Sequence, residues 1–173
     1  DAHGTVVAGP DAGPVVEFSA RCDLVLGDVL GQGGMGLVRE GTQLALERSV
    51  AVKTVRPDRD SPGARARLLR EAWVTGHLQH PNILPVYTLS SDGSGRPIIV
   101  MKRIEGLPWT GLIDAPEVHA EAFAGAVDRL EFHLDVLDRV CQAVHYAHAM
   151  GVVHRDLKPD NVMLGSFGEV YVL

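Results

Sequence analysis

Three short segments of this 173-residue sequence carry residue types whose spacing suits one kind of chemistry. Gly31-Gln32-Gly33-Gly34-Met35-Gly36-Leu37-Val38 is rich enough in glycine for backbone amides to approach phosphates with no Cβ in the way. Val50-Ala51-Val52-Lys53 places a lysine on a strand-like run, where it can neutralise those phosphates. His154-Arg155-Asp156-Leu157-Lys158-Pro159-Asp160-Asn161 offers an Asp that can orient a hydroxyl and, five residues on, an Asn that can hold a metal ion. In this order the three describe phosphoryl transfer from ATP.

Each segment also has a plainer reading. A lone G-x-G-x-x-G serves dinucleotide-binding folds when it joins a strand to a helix with an acid roughly 20 residues further on. Here the residues after Gly36 are strand-like, and a short way on stands Lys53 in a strand rather than an acid at a strand end. A simple turn remains the alternative for the loop alone, and a solvated lysine for Lys53 alone. His145 and His148 lie one helical turn apart, but no third ligand accompanies them, so packing or surface histidines are the simpler reading. The arginines between positions 56 and 70 read as a solvated helix face more readily than as a phosphate or nucleic-acid patch.

The elements that must position these residues follow from local pattern. Residues 1–19 are rich in Gly, Ala, Pro and Val without periodicity and read as a flexible leader, with folding starting near Arg21. From there to Lys53, short apolar runs such as Leu24-Val25-Leu26 alternate with glycines and polar turns, as in antiparallel strands. Ser61-Pro62 supplies a cap and a first helical residue for a helix to about Leu78, with Leu69, Ala72, Trp73 and Gly76 at helical spacing. Residues 86–89 and 97–101 predict two more strands around the turn Ser90-Ser91-Asp92-Gly93-Ser94-Gly95. Glu105-Gly106-Leu107-Pro108 reads as a connector, and residues 109–128 as partly helical. From Leu130 onward, Leu134, Leu137, Val140, Cys141 and Val144 recur at helical intervals until Gly151. Val162-Met163-Leu164 and Val170-Tyr171-Val172-Leu173 then predict two short strands.

Composition excludes several classes. A hydrophobic content of 46% is enough for a core. With 22 acidic residues against 16 basic, the formal charge of -6 argues against gripping nucleic acid or anionic membrane through bulk charge. Ile98-Ile99-Val100-Met101 falls far short of the roughly 20 apolar residues of a membrane helix, so no membrane segment is expected within the chain. Cys22 and Cys141 form no close-spaced pair, which points to a reducing, cytoplasmic setting.

The glycine loop, the strand lysine and the eight-residue loop 154–161 together resemble the protein kinases in order and spacing. The Gly-Gly-Met-Gly tip and the Asp-Leu-Lys-Pro-Asp-Asn string are similar to bacterial-type serine/threonine kinases. The resemblance implies an α+β fold: a small antiparallel β lobe with one helix over residues 20–101, a hinge over 102–108, and the start of a mainly helical large lobe over 109–173. It implies ATP and Mg2+ as cofactors and a protein substrate presenting Ser or Thr. By the same resemblance Asp156 is the general base, a role typically worth about 10²- to 10⁴-fold. Lys158 steadies the transferring phosphoryl group, and Asn161 holds magnesium. Lys53 contacts phosphates and is held by a helix acid, for which Glu71 is the candidate, with a plain surface acid as its alternative. Leu30, Gly31, Gly33, Gly34, Gly36, Val38, Ala51, Met101 and Met163 complete the nucleotide-binding set. His154 is a packing histidine, Arg155 resembles the arginine that reads a phosphorylated activation loop, and Lys102-Arg103-Ile104 supplies hinge backbone to adenine.

The family pattern continues with an Asp-Phe-Gly segment whose Asp carries magnesium, and position 173 precedes it. The expectation is therefore a kinase-domain front part, weak or inactive alone. The competing class is a non-catalytic, pseudokinase-like nucleotide-binding or docking module. A stripe of Leu134, Leu137, Val140 and Val144 left wet would forgo roughly 6 to 12 kcal/mol, so association through an exposed large-lobe surface is a further expectation.

Overall fold

The computed structural model describes residues 23–34, 36–117, 119 and 128–173. The leader expected over residues 1–19 and the start near Arg21 lie outside the described residues. The chain divides into two compact units, one holding the described residues up to Trp73 together with Val86–Arg103, the other Val74–Pro85 with Ile104–Leu173.

The first unit is built on five antiparallel strands, β1 (Leu24–Gln32), β2 (Gly36–Gln43), β3 (Arg48–Val55), β4 (Val86–Ser91) and β5 (Pro97–Lys102), in the order β1-β2-β3-β5-β4. β3 is central because its valines can be covered on both faces. Val50 and Val52 are fully buried with Ile98 and Val100 on one side. Val55 packs on the other side with Ile99 and with Ala64, Leu68 and Ala72 of helix α1 (Pro62–His77). β1 is an exposed edge strand, and its pairing with β2 breaks register between Leu26 and Val29 and again before Gly31. Such irregularity bends an edge strand away from further pairing.

Helix α1 starts as its capping residues dictate, with the Ala64 N–H donating to Ser61 Oγ at 3.2 Å. Its buried stripe, however, is Ala64, Leu68 and Ala72, while Trp73 is 47% exposed and Gly76 is exposed. Of the expected stripe, only Ala72 is fully buried. Two overlapping sets satisfy the 3.6-residue period, and the sheet surface chose the one with small residues that allow close approach.

The second unit combines α2 (Trp109–Asp114), α3 (Arg129–Ala149) and a three-stranded sheet of β6 (Gly106–Pro108), β7 (Val162–Gly165) and β8 (Val170–Val172). The segment expected to be a connector is thus a strand, with Gly106 opposite Gly165 and Leu107 opposite Leu164. Gly106 makes this possible, because a Cβ there would collide with the Leu164 carbonyl oxygen and lie 2.8 Å from Gly165 Cα. Helix α3 is capped by Asp128, whose side chain accepts from the Glu131 N–H at 2.7 Å. It buries Val136, Val140 and Ala143 against Leu112, Val162 and Val170, and Ala147 is buried one turn further on. Leu134 and Leu137, expected in the apolar stripe, are 54% and 44% exposed, and Cys141 is exposed. Val140 belongs to both stripes, whereas the small Ala143 and Ala147 replaced the leucines at the contact. Met150 caps the helix and Gly151 follows in the left-handed region at φ 75°, where glycine is unstrained.

Candidate functional site

The first unit gathers the glycine loop, the strand lysine and the helix acid. Within the loop, the Gly33 N–H donates to the Gly36 carbonyl at 2.9 Å. A Cβ built on Gly31, Gly33 or Gly34 would meet no atom within 4 Å, whereas one on Gly36 would lie 3.0 Å from Lys53 Cε. Gly36 therefore keeps the space that the Lys53 stem crosses. Strand register sets Lys53 opposite Val38 on β2 and Ile99 on β5, and Ala51 opposite Met101. Directly opposed residues share a face of a sheet, so Val38, Ala51, Lys53 and Met101 line one face. Lys53 Nζ reaches Glu71 Oε1 on α1, forming the ion pair expected from the helix position. Both partners are partly open to solvent, so the pair fixes the direction of the amine more than it stabilises the fold. Leu30, on the edge strand, is 47% exposed.

The second unit holds the polar loop. Arg155 adopts φ 67°, a conformation rare for a residue with a Cβ, and turns the chain so that Asp156 is presented outward. Pro159 opens a short 3-10 turn, Pro159–Asn161, that carries Asn161 back toward Asp156. Asn161 Nδ2 then donates to the Asp156 carbonyl oxygen at 2.7 Å and to its Oδ2 at 3.1 Å. Lys158 Nζ lies 3.3 Å from the same Oδ2. The hydrogen bond from Asn161, followed by that from Lys158 and its charge, holds the Asp156 carboxyl below the usual aspartate range. Asp156 is thus an ionised acceptor across the neutral range. The His154 ring accepts from the Asp156 N–H at Nδ1 (3.3 Å), and its Nε2 donates to the Leu173 carbonyl at 2.8 Å. Through these two bonds it braces the loop. Met163, next to the turn on β7, stands opposite Tyr171 of β8 and Pro108 of β6.

These groups suit the cofactors that the sequence implies. The loop glycines leave backbone approachable, and Lys53 is an aimed cation. With Nδ2 of Asn161 committed to Asp156, its amide oxygen is the atom with lone pairs to offer a hard cation. Among the described residues, no group of three or more His, Cys, Asp or Glu could hold a metal ion.

Two arginines of the run between 56 and 70 take specific partners. Arg65 grips Asp60 through two hydrogen bonds of 2.7 Å, and Arg56, which precedes the helix, reaches the glycine loop at the Gly33 carbonyl. The signal that could have found this is Asp58, two residues beyond Arg56 and able to hold its guanidinium.

A five-stranded antiparallel sheet whose central lysine pairs with a helix acid, joined in one chain to an Asp-Lys-Asn loop, defines a protein-kinase-type phosphotransferase fold. Residues 24–172 match the protein kinase domain family, and the chain belongs to it. The chain is 40% identical over 149 residues to the serine/threonine-protein kinase PknD of Chlamydia muridarum and equally to that of Chlamydia trachomatis, covering 84% of this chain and 16% of each relative. PknD of Protochlamydia amoebophila is 39% identical, with 83% of this chain and 15% of the relative covered. The chain thus spans about one sixth of the length of the curated relatives it matches. The α+β kinase fold and the bacterial serine/threonine-kinase kinship expected from the motifs are what the fold and these relatives return. No helix among the described residues is long and apolar enough to cross a membrane.

Proposed function

We propose that this chain carries the nucleotide-binding and hydroxyl-orienting parts of a serine/threonine protein kinase that transfers the γ-phosphoryl group of ATP to a protein hydroxyl. The observation that carries the reading is the Asp156 carboxylate, held ionised and oriented by Asn161 and Lys158 within one short loop. In it, the amides of residues 31–36 and Lys53 bind phosphates, while Glu71 keeps the Lys53 amine in place. Val38, Ala51 and Met101 offer apolar surface to the base, a role that the family resemblance extends to Met163. Asp156 orients the substrate hydroxyl and accepts its proton late in transfer, and Lys158 balances charge on the phosphoryl group. Asn161 would hold a magnesium ion, whose contribution when bound is neutralisation of phosphate charge.

A polypeptide of these 173 residues alone is proposed to bind ATP but turn it over slowly, because the family's Asp-Phe-Gly segment falls outside them. The test is calorimetric titration with magnesium and ATP, using Lys53→Met as control, followed by a phosphorylation assay. Saturable binding that the substitution abolishes supports the reading; its absence in a folded sample refutes it. Binding with no transfer, even in a longer polypeptide carrying that segment, would favour a nucleotide-sensing or docking module.

A further inference from the structure

We infer that Arg56 is a positioning residue that clamps the glycine loop, an inference that rests on the phosphate-binding reading of that loop. Four of the six residues at 31–36 are glycine, so the free loop has much conformational entropy to lose when it closes on a ligand. Among the described residues, nothing lies within 4 Å of a Cβ built on Gly33 or Gly34. Arg56 stands just past the end of β3, and its Nη1 donates to the Gly33 carbonyl at 3.3 Å. With the Gln32 carboxamide oxygen turned to the guanidinium, it lies 3.0 Å from Nη1, 3.1 Å from Nη2 and 3.3 Å from Nε, a close contact between its partial negative charge and the cation. Asp58 takes the Nε–Nη2 edge of the guanidinium, accepting from Nε at 2.9 Å and Nη2 at 2.7 Å.

One planar, five-donor group therefore ties two consecutive loop residues to the segment after the lysine strand, with Asp58 fixing its plane. Asp58 makes the device recognisable, because none of the hydrogen bonds it accepts from Arg56 involves the loop. A clamp of this kind lowers the ordering cost of ligand binding, so it acts on nucleotide affinity through loop order.

The test measures hydrogen exchange at the loop amides in the ligand-free chain and magnesium-ATP affinity by calorimetry, for Arg56→Ala, Arg56→Lys, Asp58→Asn and Gln32→Ala. Arg56→Ala is expected to speed exchange at residues 33–37 and weaken ATP binding about three- to tenfold. Asp58→Asn and Gln32→Ala should follow in the same direction, and lysine should rescue poorly because it cannot fork. Unchanged loop exchange in Arg56→Ala overturns the clamp whatever happens to affinity. Weaker ATP binding in Arg56→Ala with Asp58→Asn and Gln32→Ala both silent also overturns it, since Arg56 would then act on the nucleotide directly. If Arg56→Ala fails to fold, Gln32→Ala carries the same exchange criterion. The Lys53→Met control judges the phosphate-binding reading separately, because loop exchange is read without nucleotide.

Discussion

Asn161 Nδ2 donates to both the main-chain oxygen and the carboxylate of Asp156, five residues earlier, so one amide fixes the loop and its acid together. The arrangement is local, closed by the Pro159 turn, and is pinned where the Leu173 N–H donates to the Asn161 carbonyl at 2.9 Å.

Asn161→Ala is expected to raise the Asp156 pKa toward the ordinary aspartate value, because the first contributor to its lowering is lost. Carboxyl NMR titration checks this. A carboxyl with a folded pKa below its unfolded one stabilises the fold above the unfolded pKa, and that contribution disappears as pH falls through the folded value. The stabilities of wild type and Asn161→Ala should therefore differ near neutrality and converge as pH falls through the folded Asp156 value.

Glu71→Gln should change stability by less than about 1 kcal/mol, since the ion pair with Lys53 is solvent-accessible. ATP affinity should nevertheless fall, because the lysine loses the partner that directs it. Urea denaturation and calorimetry on the same variant separate the two effects; a large stability loss with unchanged affinity would contradict the positioning role.

Alanine at Gly36 and at Gly34 should behave differently. The new Cβ at 36 would press on Lys53 Cε, whereas at 34 it meets open space. Gly36→Ala is thus expected to disturb the Lys53–Glu71 pair in the ligand-free chain, visible as a shift in the lysine NMR resonance. Gly34→Ala should leave that resonance in place and weaken ATP binding alone.

Leu112→Ala should cost about 2–5 kcal/mol by chemical denaturation, as it empties a site 1% exposed in the core beneath α3. Leu134→Ala, at a site 54% exposed, should stay within about 0.5 kcal/mol. Equal losses would mean that the apolar stripe seen in the sequence, and not Val136, Val140, Ala143 and Ala147, is the buried one.

Gly106→Ala should destabilise the second unit by roughly 1–3 kcal/mol or more, through backbone displacement at the β6–β7 contact. Gly63→Ala, where a Cβ meets nothing, is its control.

The sequence by itself determined the local chemistry. Ser61-Pro62 starts a helix, valine-rich runs make strands, and Pro159 makes a turn, because each depends on the backbone preferences of a few adjacent residues. The order of the glycine loop, lysine and Asp-Asn loop was legible for the same reason. Tertiary structure decided what local preference leaves degenerate. Both α1 and α3 carry two overlapping stripes of helical period, and only the surfaces they meet selected Leu68 over Leu69 and Val136 over Leu137. A three-residue strand at Gly106–Pro108 has no propensity of its own and exists because β7, more than fifty residues later, pairs with it. The hold of Arg56 on the glycine loop likewise joins residues 23 apart, a distance that the charge pattern does not encode and the β2–β3 register does.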